Sequence, residues 1–404
     1  MLTVKIIFWA ALFIVFYSYV GYGMLLYLFI RIRRLFRKPV SPALHEDKLP
    51  EITLLVALYN EADIVERKIE NTFQLNYPKE KLRIVFVTDG STDATNSLIQ
   101  KHPSIQLLHK PGRSGKVAAI NRAMEYVTTP ITVFCDANTF LNPDALREIV
   151  KHYARPEVGA VSGEKKVMPQ LADPTQGAMH AAGAGEGLYW EYESFLKRLD
   201  SEFYTVVGAA GELFSLRTAL FIPVQNDVLL DDFIISMNIC KDGYRVVYEP
   251  QAFACEAPSY NLKEEQKRKI RISAGGIQSI LMLLPLLNIF KYGALSFQYI
   301  SHRVLRWAVC PFLLPIILLL NIIIVLKDPG IVYSAILVAQ AAFYLAAMGG
   351  WWFARKNMKV KLLYVPYYFL FMNISMFLGM KRFFSKTQTV LWDKAKRQTT
   401  RQTT

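Results

Sequence analysis

The hydrophobic positions between Ile52 and about Tyr248 follow two alternating patterns. Short β-rich runs, ITLLVAL, RIVFVTD, IQLLH and ITVFCD, are each followed by a stretch with apolar residues at helical spacing. These stretches predict helices over residues 64–73, 94–99, 117–127 and 145–152. Because regular alternation of strand and helix is typical of βαβ units, we predict an α/β domain with a doubly wound, mostly parallel sheet. A Gly- and Ala-rich stretch at 177–187, GAMHAAGAGEG, predicts a mobile loop or a plain linker.

A longer apolar run near the start of the chain, residues 6–30, contains no charged side chain. As a helix rising about 1.5 Å per residue it would extend roughly 37 Å, enough to cross a bilayer with some tilt. It exceeds the core of a signal peptide, so we predict an anchor that is retained. The basic segment 31–38 follows at once and, by the positive-inside rule, predicts a cytoplasmic location for the next segment and an outside N-terminus. Three prolines between residues 39 and 50 indicate a linker.

The C-terminal part of the chain has one amphipathic stretch followed by three apolar runs. The stretch 259–298 has a basic first half and an apolar second half, which favours a pair of helices at the membrane interface. The runs 304–326 and 331–353 are predicted membrane spans. The last run, 362–380, has a length that does not decide between crossing and re-entering the membrane.

Charge favours a re-entrant path for the run 362–380. The tail after it carries seven Lys or Arg side chains against a single acidic residue, Asp393. If the run crossed the membrane, that tail would lie outside, and moving each positive charge outward costs about 2.3 kcal/mol per 100 mV. We therefore predict that the run re-enters without crossing and that the tail is cytoplasmic.

Composition and charge agree with a membrane protein. The chain has 404 residues, of which 52% are hydrophobic, too apolar for a wholly soluble enzyme. The formal net charge is +14, but the basic residues cluster beside the apolar runs, which indicates membrane lipid as a partner and argues against nucleic acid. The four cysteines show no paired spacing, so neither a disulfide framework nor a zinc site is indicated.

These patterns divide the chain into five predicted parts. They are an anchor with its basic flank at 1–38, the α/β domain at 39–258, interface helices at 259–298, a transmembrane hairpin with a re-entrant helix at 299–380, and a basic tail at 381–404.

The clearest candidate for chemistry is Asp136, where the apolar run ITVFCD stops. The run reads as a buried parallel strand, and Asn142 with Pro143 predicts the start of the next helix. Ligands of open α/β sheets bind at the carboxyl ends of strands, which is where Asp136 would lie. The ordinary alternative is a turn or capping aspartate.

Further charged residues end predicted strands or begin predicted helices: Asp89 in TDGSTD, Lys116 in GRSGKVAAIN, and Asp231 with Asp232 in LLDDF. Taken singly, each residue also has an ordinary structural interpretation, as a turn residue, a helix cap or a solvated helix end. Together on one sheet edge they predict a nucleotide-sugar site. A departing diphosphate is stabilised by a lysine and by a divalent cation on a carboxylate, and a second carboxylate is needed to accept a proton from the acceptor hydroxyl.

The order of six motifs resembles membrane-integrated family 2 glycosyltransferases, such as chitin-oligosaccharide, hyaluronan, cellulose and poly-N-acetylglucosamine synthases. The motifs are ALYNEA, VTDGSTD, SGKVAAIN, CDAN, GAAGELFSLR and LLDDF, followed by a basic helix before the membrane spans. The resemblance covers the chain from about residue 50 onward. It implies a GT-A fold on the cytoplasmic side of a bacterial inner or plasma membrane, and polysaccharide biosynthesis as the process served.

The resemblance also implies a UDP-sugar donor, a glycan or glycolipid acceptor, Mg²⁺ or Mn²⁺ as cofactor, and inversion by direct displacement. It makes Asp232 the general base beside Asp231, and Asp136 with Asn138 the residues for metal and diphosphate. The other implied donor-binding residues are Ala57, Tyr59, Asn60, Glu61, Asp89, Lys116, Arg268, Arg271 and Trp392. The implied acceptor-binding residues are Gly211 and Glu212. Trp190 is a candidate replacement for the family's sugar-stacking tryptophan, and its alternative interpretation is an aromatic packed between helix and sheet.

Two departures from the family pattern leave alternatives open. The usual D-x-D reads Asp136-Ala-Asn138, which removes one carboxylate from the metal site. Ile272 stands where those synthases have a tryptophan that stacks on the acceptor sugar, which favours transfer of a single sugar to a lipid such as polyprenyl phosphate, diacylglycerol or ceramide. A transporter or non-catalytic scaffold is a third reading, although three spans without a buried charge make a poor conduit.

Overall fold

A computed structural model describes residues 1–36, 48–167, 179–259, 261–356 and 360–389. The chain divides into two compact units. One comprises the described parts of Met1–Phe29, Asp173–Tyr189 and Ser259–Gln388 and is helical. The other comprises the described parts of Ile30–Ala172, Trp190–Pro258 and Thr389–Thr404 and contains the β-sheet.

The helices and strands are numbered in chain order. The helices are α1 Leu2–Phe16, α2 Tyr22–Phe36, α3 Val65–Phe73, α4 Thr95–Gln100, α5 Lys116–Met124, α6 Ala145–Val150, α7 Met179–Phe203, α8 Asp231–Lys241, α9 Leu262–Met282, α10 Ile289–Tyr292, α11 Ala294–Tyr299, α12 Cys310–Lys327, α13 Ile331–Arg355 and α14 Lys361–Phe384. The strands are β1 Ile52–Leu58, β2 Leu82–Asp89, β3 Ile105–Lys110, β4 Ile131–Asp136, β5 Thr139–Leu141, β6 Val158–Val167, β7 Leu213–Arg217 and β8 Arg245–Glu256.

The strands form one eight-stranded sheet in the order β3-β2-β1-β4-β7-β6-β8-β5. Strands β3, β2, β1 and β4 run parallel, with α3, α4 and α5 in the connections between them. Every residue of β1 is buried, as expected for a central strand covered on both faces. The predicted α/β domain with alternating strands and helices is therefore confirmed.

The second half of the sheet is mixed. Strand β7 runs antiparallel to both β4 and β6, and β5 runs antiparallel to β8. Four of the seven pairings described are parallel, so the prediction of a mostly parallel sheet holds by a narrow margin. The antiparallel neighbours were not evident in the sequence because periodicity does not reveal strand direction.

Two local predictions in this region are wrong. Residues 179–187 begin the long helix α7 and are not a loop, because alanine, abundant there, has the highest helix propensity. Asn142 does not cap α6, which starts at Ala145 after the short strand β5. The Asn142 side chain instead accepts a hydrogen bond from Phe253 N at 2.8 Å and donates one to Gln251 O at 3.1 Å, so it joins the loop after β5 to β8.

The helical unit carries the apolar runs. Among the described residues, four helices are long and apolar enough to cross a membrane: Leu2–Phe36, Ala294–Lys327, Ile331–Arg355 and Leu362–Phe384. The chain is thus an integral membrane protein by length and composition of its helices. The predicted spans 6–30, 304–326 and 331–353 lie inside the first three of these helices, and the path of the fourth stays a prediction.

The predicted pair of interface helices is one long helix, α9, followed by the short α10 and α11. Helix α11 continues into the apolar helix Ala294–Lys327, which therefore begins ten residues before the predicted span 304–326. Helix α14 packs closely on α9, since a Cβ on Gly379 would lie 2.4 Å from Ser273 Cβ and 2.7 Å from Ile270 O. The linker at 39–47 and most of the basic tail lie outside the described residues.

Candidate active site

The carboxyl ends of the parallel strands bring the first site residues together. Ala57 on β1 pairs in register with Asp136 on β4 and with Val87 on β2. Asp89, the last residue of β2, pairs with Lys110 on β3. Both aspartates thus lie at the same edge of the sheet, where the sequence predicted them.

The loops after β1 and β2 are held together by side-chain hydrogen bonds. Asn60 has a left-handed backbone, with a φ of 50°, and its Oδ1 accepts from Thr92 N at 2.8 Å. Glu61 N donates to Thr95 Oγ1 at 2.8 Å, and Ala62 N donates to Asp93 Oδ2 at 3.0 Å. The motifs ALYNEA and DGSTD therefore form one rigid wall of the site.

The Asp89 carboxylate organises the loop that precedes α5. It accepts hydrogen bonds from Ser114 N at 2.9 Å and from Gly115 N at 2.6 Å. Gly90 has a φ of +67°, and a Cβ there would lie 2.7 Å from Gly112 C, so only glycine fits the contact between these two loops. Asp89 thereby fixes the direction in which α5 starts.

A small pocket opens between these loops. It is lined by Ala57, Leu58, Tyr59, Asp89, Arg113, Gly115, Lys116 and Ala119. The Arg113 guanidinium lies over the Tyr59 ring, 3.9 Å from its centroid. One wall of the pocket is therefore a guanidinium group stacked on an aromatic ring. Such a wall suits a planar base or an anionic group.

Lys116 is the cation at the centre of the acidic residues. As the first residue of α5, it places Nζ 2.7 Å from Asp136 Oδ1 and 3.8 Å from Asp231 Oδ2. Burial alone would lower the pKa of Lys116, but the charges of Asp136 and Asp231 outweigh it and raise the pKa above its ordinary value. Lys116 is therefore an ammonium ion at any physiological pH.

Asp231 and Asp232 occupy the first turn of α8, where the helix dipole favours negative charge. Asp231 Oδ2 is buried and accepts no hydrogen bond within the described part of the chain. Burial and the charge of Asp231 raise the pKa of Asp232 to about 7. Two adjacent carboxylates with one raised pKa form an arrangement suited to general base catalysis.

The loop before β7 lies against Asp232. A Cβ on Gly211 would lie 3.1 Å from Asp232 Oδ2, so the absent side chain leaves room at this carboxylate. The next residue, Glu212, pairs its Oε1 with Lys165 Nζ at 2.7 Å. Trp190 lies with its ring centroid 5.0 Å from Lys165 Nζ and 5.3 Å from Lys197 Nζ. Two of the predicted acceptor residues, Glu212 and Trp190, thus contact Lys165, a lysine that the sequence did not single out. Gly211 precedes Glu212 in the same loop.

The oxygen atoms of Asp136 and Asn138 suit a divalent cation and form part of a site for it. Burial, together with the charges of Glu212 and Glu256, raises the pKa of Asp136, and the Lys116 charge opposes this rise. The acidic side chains around Asp136 favour a cation, and Asp136 and Asn138 offer only oxygen atoms as ligands. Both features suit Mg²⁺ or Mn²⁺. In the described ranges no three His, Cys, Asp or Glu side chains converge as a complete metal site. Mg²⁺ commonly takes one or two carboxylates and completes its shell with substrate phosphates, so two protein ligands suffice.

Two of the predicted donor-binding residues lie on a helix of the other compact unit, and a third lies outside the described residues. Arg268 and Arg271 lie on α9 in the helical unit, where Arg268 Nε is 3.3 Å from Glu265 Oε2. Trp392 lies outside the described residues.

Sequence reasoning missed three residues of the site: Arg113, Lys165 and Glu256. Arg113 sits three residues before Lys116 in a motif already recognised, so its charge and position were a usable signal. Lys165 and Glu256 gave no such signal, because Lys165 lies within β6 and Glu256 ends β8, and the pairing of these two strands depends on an irregular register.

A mixed α/β sheet that gathers carboxylates and a lysine at the carboxyl ends of its parallel strands defines a GT-A-like domain. Residues 53–222 match glycosyl transferase family 2, so this part of the chain is similar to that family. The family resemblance and the GT-A fold predicted from the sequence are thereby confirmed.

The chain is similar to two bacterial polysaccharide synthases. The poly-beta-1,6-N-acetyl-D-glucosamine synthase of Staphylococcus aureus strain MSSA476 is 26% identical over 251 residues, which cover 60% of this chain and 58% of the relative. The synthase of the same name from Staphylococcus epidermidis is 22% identical over 269 residues, which cover 64% and 62%. The matches span less than two thirds of either relative's length.

One solved structure shares the fold over nearly the whole chain. The mannosyltransferase PcManGT from Pyrobaculum calidifontis, in complex with GDP-Man and Mn²⁺, superposes with a TM-score of 0.68 at 23% identity. The alignment covers 95% of this chain and 100% of that one.

Proposed function

We propose that this protein is an inverting, membrane-bound glycosyltransferase that moves a sugar from a UDP-sugar to a glycan or glycolipid acceptor in polysaccharide biosynthesis. The observation that carries the proposal is the convergence of Lys116 Nζ on Asp136 at 2.7 Å and on Asp231 at 3.8 Å. A lysine held between carboxylates at a sheet edge suits the binding of a diphosphate together with a divalent cation.

Asp232 is the general base of this proposal. Its raised pKa makes it a competent proton acceptor near neutral pH, and the missing side chain at Gly211 leaves room beside it for a hydroxyl. The acceptor oxygen attacks the anomeric carbon, the bond from that carbon to the diphosphate oxygen breaks, and the hydroxyl proton moves to Asp232. Direct displacement of this kind inverts the anomeric configuration.

Lys116, Asp136 and Asn138 serve the leaving group. The Lys116 ammonium remains charged throughout and stabilises the negative charge that develops on the departing UDP. Asp136 and Asn138 would hold Mg²⁺ or Mn²⁺, which as a Lewis acid neutralises diphosphate oxygens. The GDP-Man and Mn²⁺ bound by PcManGT support a nucleotide-sugar and metal on this fold.

The names of the staphylococcal relatives support a growing glycan as acceptor. Ile272, in place of a sugar-stacking tryptophan, favours the second candidate, transfer of a single sugar to a lipid carrier or glycolipid. The two candidates share the donor site and differ in the product.

The test uses the purified full-length protein in lipid nanodiscs with Mn²⁺ and a panel of UDP-sugars. Released UDP identifies the donor, and product sizing separates a ladder of oligomers from a single sugar on lipid. GDP-mannose serves as the competing donor. UDP release with one UDP-sugar supports the proposal, whereas turnover with GDP-mannose alone, or with none of the donors, contradicts it.

A further inference from the structure

We propose that Lys165 is a positioning residue for the divalent cation: through Glu256 it fixes the amide of Asn138 so that the amide oxygen is available as a ligand. The inference rests on the proposed function, because it concerns the metal that would accompany a nucleoside diphosphate. It assigns a role to a lysine and a glutamate that no sequence motif marks.

Lys165 is buried completely and lies between two carboxylates. Its side chain is 0% exposed, and Nζ lies 2.7 Å from Glu212 Oε1 and 2.5 Å from Glu256 Oε2. A buried ammonium needs charged or strongly polar partners, and these two carboxylates supply them. Reciprocally, the two carboxylates would repel each other without the lysine between them. The position of each of the three groups therefore depends on the other two.

The sheet sets this arrangement through a register irregularity. Strand β6 pairs in parallel with β8, and the register shifts between Gly163, opposite Glu249, and Glu164, opposite Phe253. After the shift Lys165 lies opposite Ala254, so Glu256, two residues further along β8, points to the same face of the sheet. Bulges of this kind re-aim side chains next to active sites.

Glu256 links Lys165 to Asn138. The antiparallel pairing of β5 with β8 sets Thr139 opposite Glu256, which brings the preceding residue, Asn138, beside the glutamate. Asn138 Nδ2 donates to Glu256 Oε1 at 3.1 Å. Because a carboxylate only accepts hydrogen bonds, the asparagine must turn its NH₂ group toward Glu256.

The amide oxygen of Asn138 is then the atom left for a ligand. Within the described residues it accepts no hydrogen bond, and it belongs to the residue two positions after Asp136. A neutral amide oxygen binds Mg²⁺ or Mn²⁺ less strongly than a carboxylate, so its contribution depends on being held in the correct orientation. A flipped amide would present NH₂ to the cation and repel it.

The test measures Mn²⁺ binding itself, in addition to activity. Full-length protein in nanodiscs, saturated with UDP, is titrated with Mn²⁺, and free Mn²⁺ is followed by electron paramagnetic resonance. We expect Lys165→Met to weaken Mn²⁺ binding about tenfold to a hundredfold, the usual effect of losing an outer partner of a metal ligand. The matched control is Lys166→Met, which removes an exposed lysine next to it in sequence and leaves Mn²⁺ binding unchanged. Glu256→Gln, which keeps the packing, is expected to weaken binding in the same direction and serves if Lys165→Met does not fold.

A double-mutant cycle separates positioning from general destabilisation. If Lys165 acts through Asn138, then Lys165→Met has no further effect on Mn²⁺ affinity in an Asn138→Ala background. An equal loss in both backgrounds overturns the proposal, as does Mn²⁺ affinity of Lys165→Met within twofold of wild type. Absence of Mn²⁺ binding by the wild-type protein with UDP contradicts the metal-dependent proposed function itself, which distinguishes that failure from the failure of Lys165 alone.

Discussion

Replacing Asp232 with Asn tests the proposed base. The amide keeps the shape of the side chain but takes up no proton, so transfer should fall by about a hundredfold to ten-thousandfold. UDP affinity should stay close to that of the wild type, because the proposed base acts on the acceptor hydroxyl and not on the nucleotide. Released UDP gives the rate and calorimetry gives the affinity. Turnover at the wild-type rate would remove Asp232 as the base.

Single residues at the sheet edge divide into those that sequence motifs reveal and those that only the fold brings in. Asp136, Lys116, Asp231 and Asp232 were predictable because each ends a strand or begins a helix in a motif with a chemical reason. The hydrogen-bond partners of Asp89 were not predictable, since its carboxylate accepts from the backbone of Ser114 and Gly115, and backbone partners leave no trace in side-chain patterns.

Burial and the charge of the neighbouring Asp231 set the pH dependence expected of the proposed base. Burial and the Asp231 charge raise the pKa of Asp232 to about 7, and the base works only when ionised. Activity of the wild type should therefore rise with pH through about 7 and fall as pH drops below it. Asp231→Asn removes the like charge, lowers the pKa of Asp232 and moves this acid limb to lower pH. The pH profile of kcat/KM measures the shift, and a limb that stays in place or moves to higher pH would refute the assignment.

At the level of strands and helices, the sequence predicted the βαβ half of the sheet because its strands are short apolar runs between clear helices. The other half escaped prediction for physical reasons. Strand β5 has only three residues, and the antiparallel direction of β7 is decided by its pairing with β4 and β6. Helix α7 was mistaken for a loop at its start because glycines interrupt an alanine-rich segment.

A glycine in the loop before β7 controls how that loop meets helix α8. Gly208 has a φ of +90°, and a Cβ there would lie 2.2 Å from the Phe233 ring. Gly208→Ala should destabilise the fold by at least about 2 kcal/mol, because the energetic cost of a left-handed backbone at alanine adds to the cost of the steric clash. Gly243→Ala is the matched control, with a φ of +92° and open space around it, and should cost about 1 kcal/mol. Unfolding of both variants in detergent gives the comparison, and equal destabilisation would exclude the clash.

For the whole molecule, the membrane path of the last apolar helix follows from charge. The helix Leu362–Phe384 is long and apolar enough to cross, yet the basic tail predicts that it re-enters. A Thr399→Cys variant in intact cells should be labelled by an impermeant maleimide only after the membrane is opened. A Leu2→Cys variant, at the predicted outside terminus, should be labelled directly and serves as the control. Labelling of residue 399 in intact cells would show that the helix crosses.

The central claim is that one sheet edge binds a nucleoside diphosphate through Lys116 and a cation on Asp136. Calorimetric titration of UDP into the full-length protein with Mn²⁺ tests it most directly. We expect binding by the wild type, at least about tenfold weaker binding by Lys116→Met, and loss of the Mn²⁺ dependence in Asp136→Asn. Absence of binding by the wild type, or unchanged affinity in both variants, would contradict it.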